Sequence, residues 1–225
     1  MKMSTNDTVV GNLLKIKNSL PDHVTLIAVS KNHSVDVIKE ILPYHNILGE
    51  NRVQEMMAKK DFLPGARWHM IGHLQSNKVK YIVPFIEMIH SVDSIKLLKE
   101  IEKHAAKHQR KIPVLLEIHI AKEESKFGIK PDDAGLFIQE VIQLNFQHVE
   151  IAGLMGMATY TEDMNLVRQE FRLLKELFET LKKEYFSDQP CFKHLSMGMS
   201  HDYQIAIEEG ATMVRIGSAI FGERK

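Results

Sequence analysis

Short apolar, β-branched runs alternate with longer stretches of helical period eight times along this chain, and that alternation leaves few folds open. The runs fall at 24–30 (VTLIAVS), 46–49, 68–71, 88–91, 114–119, 149–155, 193–196 and 212–216. Their near-continuous apolar character predicts parallel strands covered on both faces. The clearest intervening stretch places Val167, Phe171, Leu174, Phe178, Leu181 and Tyr185 three and four residues apart, which predicts one core-facing stripe on a long helix. An earlier helical segment, 9–20, stops at Pro21 and reads as a helix added ahead of the first strand. Eight βα units in 225 residues leave about 28 residues each, the economy of a minimal (β/α)8 TIM barrel. The rival doubly wound sheet lacks its signals, since neither G-x-G-x-x-G nor G-x-x-x-x-G-K-[ST] occurs.

Composition narrows the class further. With 44% hydrophobic and 26% charged residues the chain is an ordinary globular one, and no repeat, low-complexity tract or linker divides it, so one domain spanning 1–225 is expected. Lys+Arg and Asp+Glu both number 29, so no net basic field draws the chain to nucleic acid or anionic lipid. The first ten residues, MKMSTNDTVV, lack the apolar core of a signal peptide, and no apolar run approaches the ~20 residues that span a bilayer. The lone Cys191 cannot form an internal disulfide and suits a reducing compartment. A soluble, cytoplasmic protein is the expectation.

In such a barrel, chemistry belongs at the C-terminal ends of the strands. Lys31 ends the first run. An amine held there, partly desolvated, could form a Schiff base with an aldehyde; the alternative is a solvated lysine at a strand end. Near the other end of the chain lie Ser196-Met197-Gly198-Met199-Ser200 and Arg215-Ile216-Gly217-Ser218. The loops after strands seven and eight of a barrel commonly hold a phosphate, and the residue types suit that task. Gly198 and Gly217 let backbone approach an anion, and Ser200 and Ser218 can donate hydroxyl hydrogen bonds. Ser200 could also be the N-cap of a helix over 202–209, a role compatible with holding a phosphate. Arg215 cannot shed its proton and needs an acceptor, either a carboxylate in the barrel or the ring nitrogen of a pyridine cofactor.

Other strand ends say less. Asn51 could touch a ligand or cap a helix over 52–60, and Trp68 reads as barrel packing. Segments 75–78 and 91–94 read first as helix starts. Lys126, in the loop 122–128, is either solvated or a second amine near the mouth. Twelve histidines do not add up to a metal site: His69 and His73 straddle a strand and its loop, and His104 and His108 lack the glutamate of H-E-x-x-H. Cys191 has no neighbouring base and reads as structural.

Taken together, six blocks in order resemble the pyridoxal phosphate homeostasis protein family, whose domain is similar to the N-terminal barrel of bacterial alanine racemases. They are Ala28-Val29-Ser30-Lys31, Gly49 to Glu55 (GENRVQE), Trp68 to Lys78 (WHMIGHLQSNK), Gly153-Leu154-Met155, and the stretches 195–202 and 214–222. The resemblance implies a barrel that binds pyridoxal 5'-phosphate (PLP), with Lys31 as the internal-aldimine lysine and Ser200, Gly217 and Ser218 at the phosphate. It also implies Arg215 facing the pyridine nitrogen, with Asn51 and Met197 lining the pocket.

The same resemblance separates carrying PLP from using it. An arginine at the ring nitrogen keeps it unprotonated and weakens the ring as an electron sink. Val35 stands where the racemases carry a phosphate-contacting tyrosine, and the chain stops at Lys225 without the second domain that supplies their other acid/base. The expectation is a monomeric PLP-binding protein without strong catalysis of its own, which controls free PLP or delivers it to PLP-dependent apo-enzymes. A PLP-dependent racemase and a Schiff-base aldolase are the alternatives. Roles for Lys78 and Lys126 in transfer stay open.

Overall fold

The computed structural model describes residues 8–123 and 127–222. Eight parallel strands close into a barrel in sequence order, and β1 (Thr25–Val29) pairs with β8 (Met213–Ile216) to seal it. Between them run β2 (Ile47–Glu50), β3 (Arg67–Met70), β4 (Met88–Val92), β5 (Ile112–Ile118), β6 (Val149–Gly156) and β7 (His194–Ser196). Every predicted strand is present, displaced by no more than two residues at either end. The expected (β/α)8 architecture is therefore the observed one.

The helices wrap the outside. Following α1 (Val9–Ser19), which precedes the barrel, come α2 (Val35–Ile41), α3 (Val53–Lys59), α4 (Val79–Ile82) and α5 (Ile95–Lys107). Then come α6 (Ala134–Leu144), α7 (Met164–Tyr185), α8 (Tyr203–Glu208) and the short α9 (Ser218–Phe221). The stripe on α7 buries Val167, Phe171, Leu174, Phe178 and Leu181, as its spacing requires. The N-terminal helix packs against α9, with Asn12 Nδ2 donating to the Ile220 carbonyl at 3.2 Å.

Strand alternation divides the core in two. In β1, Leu26 and Ala28 join the large cluster between sheet and helices, while Ile27 and Val29 turn the other way and pack with Ile71. In β8, Val214 and Ile216 face the helices, which leaves Met213 and Arg215 in the lumen. Gly49 also faces inward: a Cβ there would come within 2.9 Å of both Ile27 and Ile71, so only glycine fits the closure. Trp68 is buried in the large cluster, packing rather than stacking on a ligand.

Candidate functional site

Register decides what meets at the C-terminal mouth. Ile27 pairs with Arg215, so the residues after β1 and those after β8 are neighbours although they lie nearly the whole chain apart. There a cavity of about 290 Å³ is lined by Lys31, Asn51, Ser200, Arg215, Gly217 and Ser218, six of the seven residues singled out from sequence. The seventh, Met197, is a correction. It is fully buried in the core cluster, and Met199, two residues on, lines the cavity instead. Gly198 between them adopts φ +91°, and a Cβ there would sit 2.6 Å from the Ala206 Cβ; this glycine is what turns the chain out of β7.

One hydroxyl ties the turn after β8 to the segment after β7. Gly217 N–H and Ala219 N–H donate to Ser200 Oγ at 3.2 and 3.3 Å. The reading of Ser200 as a helix cap does not hold: Asp202 is the N-cap of α8, and it makes no side-chain cap bond. Asn51 likewise does not cap α3, whose N-cap is Arg52. At Gly217 a Cβ would press on Val29 at 3.3 Å, so this turn lies tight against β1.

Arg215 occupies the floor of the cavity. It is 4% exposed, and burial lowers its pKa to about 10, with Asp202 and Glu117 pulling the other way; the guanidinium is a cation at neutral pH. Its bonds go to neutral acceptors, Nη1 to Ser196 Oγ at 2.7 Å and Nη2 to the Gly156 carbonyl at 3.0 Å. Among the described residues no carboxylate lies within ion-pair distance of it. Glu117 on β5 is raised to about 7 by burial and by the charge of Asp93, and its Oε2 has no hydrogen-bond partner.

Lys31 is set by its neighbours. Lys59 Nζ, reaching in from the end of α3, bonds the Ser30 carbonyl at 2.8 Å, Glu50 Oε1 at 2.8 Å and Glu55 Oε1 at 2.6 Å. Glu55 Oε1 in turn accepts from the Asn32 N–H, and Ser30 Oγ donates to Glu50 Oε1 at 2.7 Å. The backbone on both sides of Lys31 is thus clamped by one buried ionic cluster, with Asn32 held at φ +66°. Burial raises the pKa of Glu50 against the pull of Lys59 and Ser30.

Several contributors were not anticipated. His33, Met157, Tyr160, Met199 and His201 line the same cavity. Met157 directly follows β6, the strand-end position that would have marked it. Tyr160 is 79% exposed with its ring edge-on to His201 at 5.2 Å, and His33 stacks on Phe221 at 4.6 Å. Lys78 lies away from the cavity, its amine 5.8 Å from the Tyr81 ring; Lys126 is outside the described residues. A larger cavity of about 370 Å³ lies between α6 and β6 and includes Cys191, whose thiol pKa burial raises. Among the described residues no group of three or more His, Cys, Asp or Glu could hold a metal ion, and no helix is long and apolar enough to cross a membrane.

Fold and site together define a parallel (β/α)8 barrel with a lysine, a buried arginine and a serine- and glycine-containing turn at one mouth. The profile of the alanine racemase N-terminal domain matches residues 6–225. The chain is 43% identical over 206 residues to the pyridoxal phosphate homeostasis protein of Aquifex aeolicus, covering 89% of this chain and 87% of that one. It therefore belongs to the pyridoxal phosphate homeostasis protein family. The structure of PipY from Synechococcus elongatus with PLP bound superposes with a TM-score of 0.85 at 34% identity, covering 96% of this chain and all of that one. Alanine racemase of Clostridium difficile shares the fold, with a TM-score of 0.78 at 17% identity over 97% of this chain and 60% of that one.

Proposed function

We propose that this chain binds PLP in the mouth cavity, holds it through a Schiff base on Lys31, and serves intracellular PLP homeostasis as a monomeric carrier without strong catalysis of its own. The observation that carries this reading is the meeting, in one cavity, of a lysine, a serine- and glycine-containing turn suited to an anion, and a buried arginine whose acceptors among the described residues are neutral. Bound PLP supplies a reactive aldehyde and an electron-withdrawing ring. Ser200, Ser218 and the N–H groups of Gly217 and Ala219 would take its phosphate, Arg215 would donate to the ring nitrogen, and Asn51 would line the ring. Because Arg215 stays a cation at neutral pH, it opposes protonation of that nitrogen and so works against carbanion chemistry. A reversible amine in a protected site keeps the aldehyde from other amines and can pass it to PLP-dependent apo-enzymes.

Visible absorption, borohydride reduction and peptide mapping of the purified protein test this. A coloured protein with its reduced adduct on Lys31, lost in K31A, is the expected result. A protein that stays colourless with added PLP, or an adduct on another lysine alone, overturns it. Steady turnover of an amino acid abolished by K31A would move the reading to a racemase.

A further inference from the structure

Below the cavity, five side chains form one line through the barrel. Arg215 Nη1 donates to Ser196 Oγ at 2.7 Å, and Ser196 Oγ lies 3.0 Å from His90 Nδ1. His90 Nε2 lies 2.8 Å from His69 Nδ1; His69 Nε2 has no hydrogen-bond partner among the described residues, and Glu87 Oε1 stands 3.8 Å from it, beyond hydrogen-bond reach. Ser196 and His90 are fully buried and His69 is 2% exposed, while Glu87 stands at the opposite mouth, paired with Arg67.

Donor chemistry fixes the direction of every link. Arg215 accepts nothing, so the first bond runs from it to the hydroxyl. Among the described residues Ser196 Oγ has no partner but Arg215 and His90, so its own proton goes to His90 Nδ1. Burial, together with the charge of Arg215, keeps His90 neutral. A neutral ring that accepts at Nδ1 carries its proton on Nε2 and donates it to His69 Nδ1. Burial favours the neutral form of His69 as well, against the pull of Glu87, so His69 carries its proton on Nε2, toward that carboxylate. The reverse direction would put two donors on one hydroxyl and leave the serine proton buried without an acceptor.

We propose that Ser196, His90 and His69 are positioning residues, forming a one-way hydrogen-bond relay through the barrel core that fixes the Arg215 guanidinium and ends at His69, whose outer N–H faces the charge of the Glu87 carboxylate at the far mouth. The role of Arg215 toward a cofactor ring rests on the proposed function; the relay itself does not. Chains of this kind polarise one another, so a change of charge at Glu87 reaches both rings.

Ring 15N–1H spectra of the ligand-free protein, labelled at histidine and recorded at neutral pH, test the relay directly. Both His69 and His90 should carry their protons on Nε2, and E87Q should move the ring shifts of both. A proton on Nδ1 of His90, or E87Q spectra identical to wild type at both rings, overturns the proposal. PLP titration of H90F and E87Q adds the functional readout. H90F should weaken binding roughly 3- to 10-fold, the net worth of one buried hydrogen bond, and both variants should shift the absorption maximum of the bound cofactor. Unchanged affinity and absorption in both variants, in a protein whose wild type binds PLP, also overturns it. A wild type that takes up no PLP defeats the proposed function, and the ligand-free spectra still decide the relay.

Discussion

Two buried cations flank the same cavity and are treated in opposite ways. Lys59 is enclosed by Glu50, Glu55 and the Ser30 carbonyl, so all its bonds are spent within the fold. Arg215, equally buried, has a hydroxyl and a carbonyl and, among the described residues, no carboxylate at bonding distance. A buried cation with its full set of anions is architecture: taking one member away strands the rest. A buried cation with neutral acceptors keeps most of its charge for whatever enters beside it. The difference marks which of the two is part of the frame and which is part of the site.

Breaking the frame has the largest effect. K59M leaves the fully buried Glu50 without its counter-charge and should cost about 3–5 kcal/mol of stability, read from the urea midpoint; adding E50Q should recover part of it. Next comes acid. His69 and His90 are held neutral by burial, so below about pH 6.5 the unfolded chain takes up protons that the folded one refuses, and each histidine then removes about 1.4 kcal/mol per pH unit. His45 and His194, both lowered to about 4 chiefly by burial, act in the same direction down to that pH. Glu117, raised to about 7, and Glu50, also raised, bind protons earlier in the folded state and oppose the trend. His104 is lowered too, chiefly by burial, so five groups against two give a urea midpoint that falls between pH 6.5 and 5.

Removing the other cation should separate binding from folding. R215M should keep stability within about 1 kcal/mol of wild type while weakening PLP roughly 10- to 100-fold in a spectroscopic titration, the worth of a hydrogen bond from a charged group. If R215M unfolds as readily as K59M, the distinction between frame and site fails. The smallest effect belongs to S200A, which removes the acceptor shared by Gly217 and Ala219 and should cost about 1 kcal/mol of stability. It should also weaken PLP more than pyridoxal, which lacks the phosphate.

The sequence carried the barrel well because each strand is a compact apolar run and each helix has its own period, signals that need no knowledge of partners. The site residues at strand ends were legible for the same reason: position along a strand predicts the mouth. Met197 stands one residue past the lumenal Ser196, so alternation turns it to the core, and the chain reaches the cavity at Met199 only after the turn at Gly198. The two buried polar assemblies were not read at all. Histidines had been weighed only by metal-ligand spacing, whereas His69, His90 and Arg215 each stand third in their strands, where a polar side chain faces the lumen. Lys59 looked like a helix-end lysine, and only the packing of α3 on β2 shows its amine buried among acids.

Closure of the barrel between β1 and β8 also governs when the site comes into being during synthesis. The lysine is made within the first 31 residues, yet the serine- and glycine-containing turn it meets belongs to the loops after β7 and β8, and no partial barrel brings the two together. A growing chain on the ribosome therefore exposes an ordinary amine for most of its elongation and acquires the mouth cavity in one late event.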